Sequence, residues 1–208
     1  RRRMCVDYRA LNLLTVPIRY PIRHSRTLLE RVRGSCFFAT FDLEKGYFQM
    51  PMAADSIPLT AFIVPFGTYE YVRLPFGLRN GPAVFQNTMD QIFQDLLYHG
   101  VELFIDDLLV HAHDLNRFKE LLDTVLSRLA EFNLHLKLAK SNIGATSVDF
   151  LGYSIDQEGF EVSQKHQQAI ISIQRPTSKA ALRSFLGLVN FFRTFVANFA
   201  SICKVLFK

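Results

Sequence analysis

The chain has 208 residues, 49% of them hydrophobic, with 20 Phe, no Trp and a net charge of +5. That suffices for one large domain or one and a half with a substantial core, and the absence of any apolar run of about 18 residues excludes a membrane-spanning helix. Three widely spaced cysteines (Cys5, Cys36 and Cys203) fit neither a disulfide framework nor a zinc site and point to a reducing compartment.

The opening Arg1-Arg2-Arg3-Met4-Cys5-Val6-Asp7 lacks an apolar h-region, so no signal peptide is expected. Residues 3–8 alternate loosely and are read as a strand, and Leu11 to Tyr20 as an extended connector closed by Pro17 and Pro21. Thr27 to Arg33 reads as a short helix ending at Gly34. Phe37 to Asp42 reads as a buried strand that delivers Asp42 at its end. Thr60–Val64 and Thr68–Leu74 read as strands around the turn Pro65-Phe66-Gly67, followed by a Gly/Pro-rich loop to Pro82. A helix carrying Phe85, Met89, Ile92, Phe93, Leu96 and Leu97 on one face stops at Gly100. Asn116 to Phe132 holds a clean helical stripe, and Ser147 to Ile155 returns to strand. After Gly159 two helices are expected, Gln164–Gln174 and Ser178–Phe199, split by Pro176 and capped by Thr177 or Ser178. A boundary is placed near residues 156–160.

The chemistry concentrates in Phe104-Ile105-Asp106-Asp107, two adjacent carboxylates between apolar, β-favouring runs. This reads as a hairpin with both Asp at its tip. Adjacent carboxylates repel, and Asp disfavours strands, so a bound hard cation such as Mg²⁺ is the reading that explains the pair. Alone, the pair would be an ordinary turn. Together with Asp42, three strand-end carboxylates suit two divalent ions about 3.5–4 Å apart, which clamp the attacking and leaving oxygens of a phosphoryl transfer. The sequence does not itself place Asp42 beside Asp106. His111 and His113, alternating along a strand end, are read as exposed and not as ligands.

The ordered series of motifs resembles the reverse transcriptases of gypsy-class long-terminal-repeat retrotransposons, relatives of retroviral polymerases. The resemblance runs through Arg3-Met4-Cys5-Val6-Asp7-Tyr8-Arg9-Ala10-Leu11-Asn12, Phe41-Asp42-Leu43 with Gly46-Tyr47 and Gln49, Thr60-Ala61-Phe62, Leu74-Pro75-Phe76-Gly77-Leu78 and Gly81-Pro82-Ala83-Val84-Phe85-Gln86. It continues in Phe104-Ile105-Asp106-Asp107, Phe150-Leu151-Gly152 and Leu182 to Arg193. It implies an α+β right-hand polymerase fold. Fingers would take residues 1–34 and about 53–80, N-terminally truncated, with the palm in 35–52 and 81–155. A helical thumb or start of connection would follow in 156–208.

The resemblance further implies an RNA-directed DNA polymerase that extends a primer with dNTPs on an RNA or DNA template. Asp42, Asp106 and Asp107 would be catalytic and, with the Leu43 carbonyl, would bind two Mg²⁺, for which Mn²⁺ could substitute. Arg3, Tyr47, Phe76, Gly77 and Gln86 would bind the nucleotide, with the Tyr47 ring as a steric gate against a 2′-hydroxyl. Leu151 and Gly152 would grip the primer. The remaining partners would be the other parts of a Pol polyprotein: ribonuclease H, integrase and protease. The location would be intracellular, in cytoplasmic virus-like particles and the nucleus. Departures from the family pattern include Phe48, Leu59, Gly81, Ser141 and the tail His111-Ala112-His113; none removes a metal ligand. The rival expectation is an inactive retroelement relic that keeps the fold and nucleic-acid binding. A zinc-bound nucleic-acid module fails on cysteine count and spacing.

Overall fold

The computed structural model describes residues 4–21 and 23–207. In chain order it contains α1 (Arg9–Leu14), α2 (Ser25–Val32), β1 (Phe37–Asp42), α3 (Gly46–Gln49), β2 (Phe62–Val64) and β3 (Gly67–Tyr69). Then come α4 (Gly81–Ile92), β4 (Val101–Phe104), β5 (Asp107–Ala112), α5 (Leu115–Glu131) and β6 (Asn142–Ala145). The last elements are β7 (Ser147–Phe150), β8 (Tyr153–Asp156), β9 (Gly159–Val162), α6 (Gln164–Ile171), α7 (Lys179–Phe191) and α8 (Phe199–Cys203).

The main sheet has the order β4-β5-β1-β6, and every neighbouring pair is antiparallel. One-face burial would leave alternating residues polar, yet Phe37-Phe38-Ala39 and Leu108-Leu109-Val110 are apolar without a break. Both faces are covered, and that explains the pattern. Ala39, Phe41, Leu103, Leu108 and Val110 pack with Phe85 and Met89 of α4 and with Phe118, Leu121, Val125 and Leu129 of α5. Phe38 and Leu109 face the other way, onto Leu29 and Val32 of α2, Val148 and Phe150 of β7, Tyr153 and Ile155 of β8, and Phe192.

Local chemistry sets the helix starts. The Asp114 side chain accepts the Arg117 N–H at 2.9 Å to cap α5, and Ser178 accepts the Ala181 N–H at 3.1 Å to cap α7. Among the described residues, 4–8 do not form a strand. Asp7 instead accepts the Arg9 N–H at 3.0 Å and its guanidinium on both oxygens, and the chain turns into α1. Such side-chain capture of backbone competes with strand pairing. The second strand expected at Thr68–Leu74 ends at Tyr69, because the chain then crosses to other partners. Tyr71 N–H bonds Thr60 Oγ1 at 2.7 Å, and Leu74 N–H bonds the Met50 carbonyl at 2.9 Å. A three-stranded antiparallel sheet, β7-β8-β9, spans residues 156–160.

Candidate active site

Asp42, the last residue of β1, stands opposite Asp107, the first residue of β5, and Asp107 also pairs with Phe104 of β4. Ile105 and Asp106 form the two-residue turn between β4 and β5. Only Asp106 therefore occupies the hairpin tip, while Asp107 lies inside the ladder. Crowding by neighbouring atoms, then repulsion from Asp106 and Asp42, raises the Asp107 carboxyl from 3.8 to about 6. Asp107 keeps solvent access, so the repulsion is the firmer part of that shift.

A cation already answers this charge. Lys140, in a short 3₁₀ turn, Leu138–Lys140, places Nζ 2.6 Å from Asp42 Oδ2. The Lys137 N–H donates to the Asp42 carbonyl at 2.8 Å and anchors that turn beside the strand. The Lys140 ammonium is held above its ordinary range, first by its hydrogen bond to Asp42 and then by the charge of all three Asp. The Leu43 side chain is buried in the core, so only its carbonyl is available as a ligand. Its bridge to Leu136 is closed by the His135 and Asp42 carbonyls, which leaves the Leu43 oxygen outside those bonds.

Among the described residues, no three His, Cys, Asp or Glu side chains form a closed metal cage. Mg²⁺ does not require one. It typically takes one or two carboxylates and completes its shell with water and substrate phosphates. Mutually repelling carboxylates with an ammonium seated on one of them have the charge and donor chemistry that fit it.

Tyr47 rises from α3 toward this cluster. Its phenol is raised by burial and then by Asp106. The ring stacks on Phe85 at 5.0 Å and 8°, and lies 5.0 Å from the ring of Phe76. Close approach, not turning freedom, accounts for Gly46: a Cβ there would sit 3.1 Å from Phe85 Cζ, while the left-handed residue is Lys45. Gln49 locks α3 to the neighbouring segment, donating to the Glu44 and His135 carbonyls and accepting the His135 N–H. Gly77 follows Phe76 with φ +94°. Asn12 fastens that loop by donating to the Gly77 carbonyl and accepting the Arg79 N–H, each at 2.7 Å.

Gln86 departs from the expected lining role. It is 1% exposed and turned inward, where Oε1 accepts the Ile105 N–H at 2.6 Å. A cavity of about 320 Å³ lies between α1 and the start of α4, lined by Leu11, Thr15, Pro51, Leu78 and Val84. None of the three Asp, Tyr47, Phe76, Gly77 or Gln86 lines it.

Leu151 and Gly152, with φ 51° and 87°, form the turn between β7 and β8 and are not strand residues. Arg3 lies outside the described residues. The reading of His111 as exposed is wrong: it is 7% exposed, and its Nδ1 is 2.9 Å from Ser35 Oγ. Its strand is covered on this face, so little of the side chain reaches solvent. His113 is exposed, with Nδ1 2.8 Å from the Gly34 carbonyl. Sequence reasoning missed Lys140, 98 residues from Asp42 in the chain. The basic pair Lys137 and Lys140 after α5 was the only available hint.

The profile of the family described as "Reverse transcriptase (RNA-dependent DNA polymerase)" matches residues 1–155. The retrovirus-related Pol polyprotein from transposon 297 of Drosophila melanogaster is 38% identical over 97% of this chain and 19% of its own length. The corresponding polyprotein from transposon gypsy is 32% identical over 98% of the chain and 20% of its own length. The Tf2-3 polyprotein of Schizosaccharomyces pombe is 31% identical over 93% and 15%. The chain thus spans about a fifth of the length of its first curated relatives. Among solved structures, the foamy viral protease-reverse transcriptase dRH in complex with double-stranded DNA superposes with TM-score 0.91 at 32% identity, over 99% of this chain and 36% of that one. The foamy viral enzyme in complex with an RNA/DNA hybrid gives 0.88 at 32% identity, over 99% and 28%. A right-hand polymerase architecture of helices and antiparallel sheets, matched along its whole length, joins a sequence profile over three quarters of the residues: the chain belongs to the reverse transcriptase (RNA-dependent DNA polymerase) family.

Proposed function

We propose that this chain is the polymerase part of a longer Pol polyprotein, extending a primer 3′-hydroxyl with dNTPs on an RNA or DNA template. The observation that carries the reading is the in-register pairing of Asp42 with Asp107, with Asp106 in the adjoining turn. In this reading residues 1–34 and 53–80 are fingers, 35–52 and 81–155 palm, and 156–208 thumb. Two Mg²⁺, held by Asp42, Asp106, Asp107 and the Leu43 carbonyl, would supply neutralisation of the charge that builds on the phosphoryl oxygens. The primer hydroxyl attacks the α-phosphorus and pyrophosphate leaves. The chain's part is to hold these carboxylates at rigid strand ends, so that little reorganisation accompanies the reaction. Tyr47, braced by Phe76 and Phe85, is the shelf for the sugar of the incoming nucleotide. The Leu151-Gly152 turn meets the primer end.

Primer extension on poly(rA)·oligo(dT) with Mg²⁺ tests this. Asp106→Asn should lower extension by roughly a hundredfold or more, the scale for losing one group that stabilises the transition state. Duplex affinity, which rests mainly on phosphate contacts, should hold. Equal loss of binding and extension would mark a folding defect, and a wild-type chain that binds duplex without extending it would be the inactive relic.

A further inference from the structure

The turn that presents Asp106 is held from behind. Ile105 has φ 57°, a region unfavourable for a β-branched residue unless its surroundings impose it. Its N–H is taken by Gln86 Oε1. The other end of that amide, Nε2, donates to Asp90 Oδ1 at 2.8 Å, one turn later on α4. These two partners fix the amide's orientation, since the reverse would set its N–H against the Ile105 N–H. Asp90, whose side chain is 13% exposed, also accepts the Tyr20 hydroxyl at 2.6 Å and the Arg23 guanidinium at 2.7 Å. Arg23 further reaches the carbonyl of Leu103, in the strand that enters the turn, at 3.4 Å.

We propose that Asp90, acting through Gln86, is a positioning residue that fixes the Ile105–Asp106 turn and so sets where the Asp106 carboxylate meets a divalent cation. The inference rests on the metal-dependent polymerase reading. Neither residue touches Asp106; both act on the peptide beside it. A side chain that merely filled the core would need no amide, whereas here each end of the amide has one specific partner. Tyr20 and Arg23, from the segment before α2, hold the Asp90 side chain in place by these two bonds.

The test uses Mn²⁺ binding by electron paramagnetic resonance and amide exchange at Ile105 on the full chain, with Asp106→Asn as the reference for a lost ligand. Gln86→Met and Gln86→Glu should each weaken the Asp106-dependent Mn²⁺ site at least fivefold and speed Ile105 exchange at least tenfold. Added negative charge alone would tighten Mn²⁺ binding in Gln86→Glu, so the direction separates positioning from electrostatics. The double variant Gln86→Glu/Asp90→Asn keeps an acceptor for the Ile105 N–H and restores a donor between the two side chains, and should return within twofold of wild type. The proposal is overturned if Gln86→Met leaves Mn²⁺ affinity within twofold while freeing the amide, or if the double variant does not recover. It is also overturned if wild type binds no Mn²⁺ that Asp106→Asn fails to bind. None of these readouts uses primer extension, so a wild-type chain that cannot extend a primer defeats the polymerase reading separately.

Discussion

Asp107→Asn should stabilise the metal-free protein at neutral pH while removing its activity. The folded state holds the Asp107 carboxyl at about 6 against an ordinary 3.8. A shift of about two units corresponds to roughly 2.7 kcal/mol at 1.36 kcal/mol per unit. Solvent reaches this side chain, so screening reduces the figure to about 1 kcal/mol. Because the folded pKa of this acid is raised, the folded state binds the proton more tightly than the unfolded chain. Stability is full below about pH 4 and falls as pH rises through 6. Asn mimics the protonated form, so the variant should match wild type near pH 4 and pull ahead between pH 4 and 6. Above that it should melt about 2–4 °C higher, the shift expected for 1 kcal/mol in a domain of this size. Thermal denaturation in EDTA across this range measures it. Added Mg²⁺ should reverse the order, because only wild type keeps the full set of ligands. A variant that melts at or below wild type at pH 7.5 without metal, or a gap that does not change with pH, would refute the argument that unneutralised repulsion is stored at this site.

Tyr47→Ala should raise ribonucleotide use relative to deoxyribonucleotide, whereas Tyr47→Phe should change the ratio little; proportionate loss of both activities would make the ring simple packing. Gly46→Ala should cost about 1–3 kcal/mol, since the new methyl meets Phe85 at 3.1 Å in a packed core; calorimetry reads this directly. Glu102 is 1% exposed, both its oxygens lack partners, and its Oε1 is 3.9 Å from His111 Nε2. His111→Leu should therefore cost about 1–3 kcal/mol by leaving Ser35 Oγ and Glu102 as buried polar groups without their neighbour, while Glu102→Leu with His111→Leu should recover part of that loss in urea unfolding.

Sequence carried the elements whose residues face the core. The stripe of α5 is buried at Phe118, Leu121, Val125 and Leu129, and β1 is buried on both sides, so their apolar patterns were unambiguous. It failed at α1, where no residue of Arg9–Leu14 is buried and no apolar face is imprinted. Asp42, Asp106 and Asp107 stood out as a set through the family resemblance, since the Asp pair alone would read as an ordinary turn. Gln86 did not: a buried Gln and a pocket-lining Gln look alike until the Ile105 N–H that it accepts is known. His111 was misplaced for a related reason, since its partner Ser35 comes from another part of the chain. Polar groups satisfied across long sequence distances leave no periodic trace.

In the proposed metal-binding reading, the contact of Lys140 with Asp42 would make metal entry an exchange rather than an addition. A divalent ion arriving at Asp42 would displace an ammonium, so the local charge would rise by less than the ion carries. The displaced group cannot diffuse away as a buffer cation would. Tethered in a turn whose Lys137 N–H is bonded to the Asp42 carbonyl, it returns in a unimolecular step whenever the ion departs. In that reading the site would close at a rate set by a side-chain rotation and not by the surrounding salt, and Asp42 would not be left without a cation.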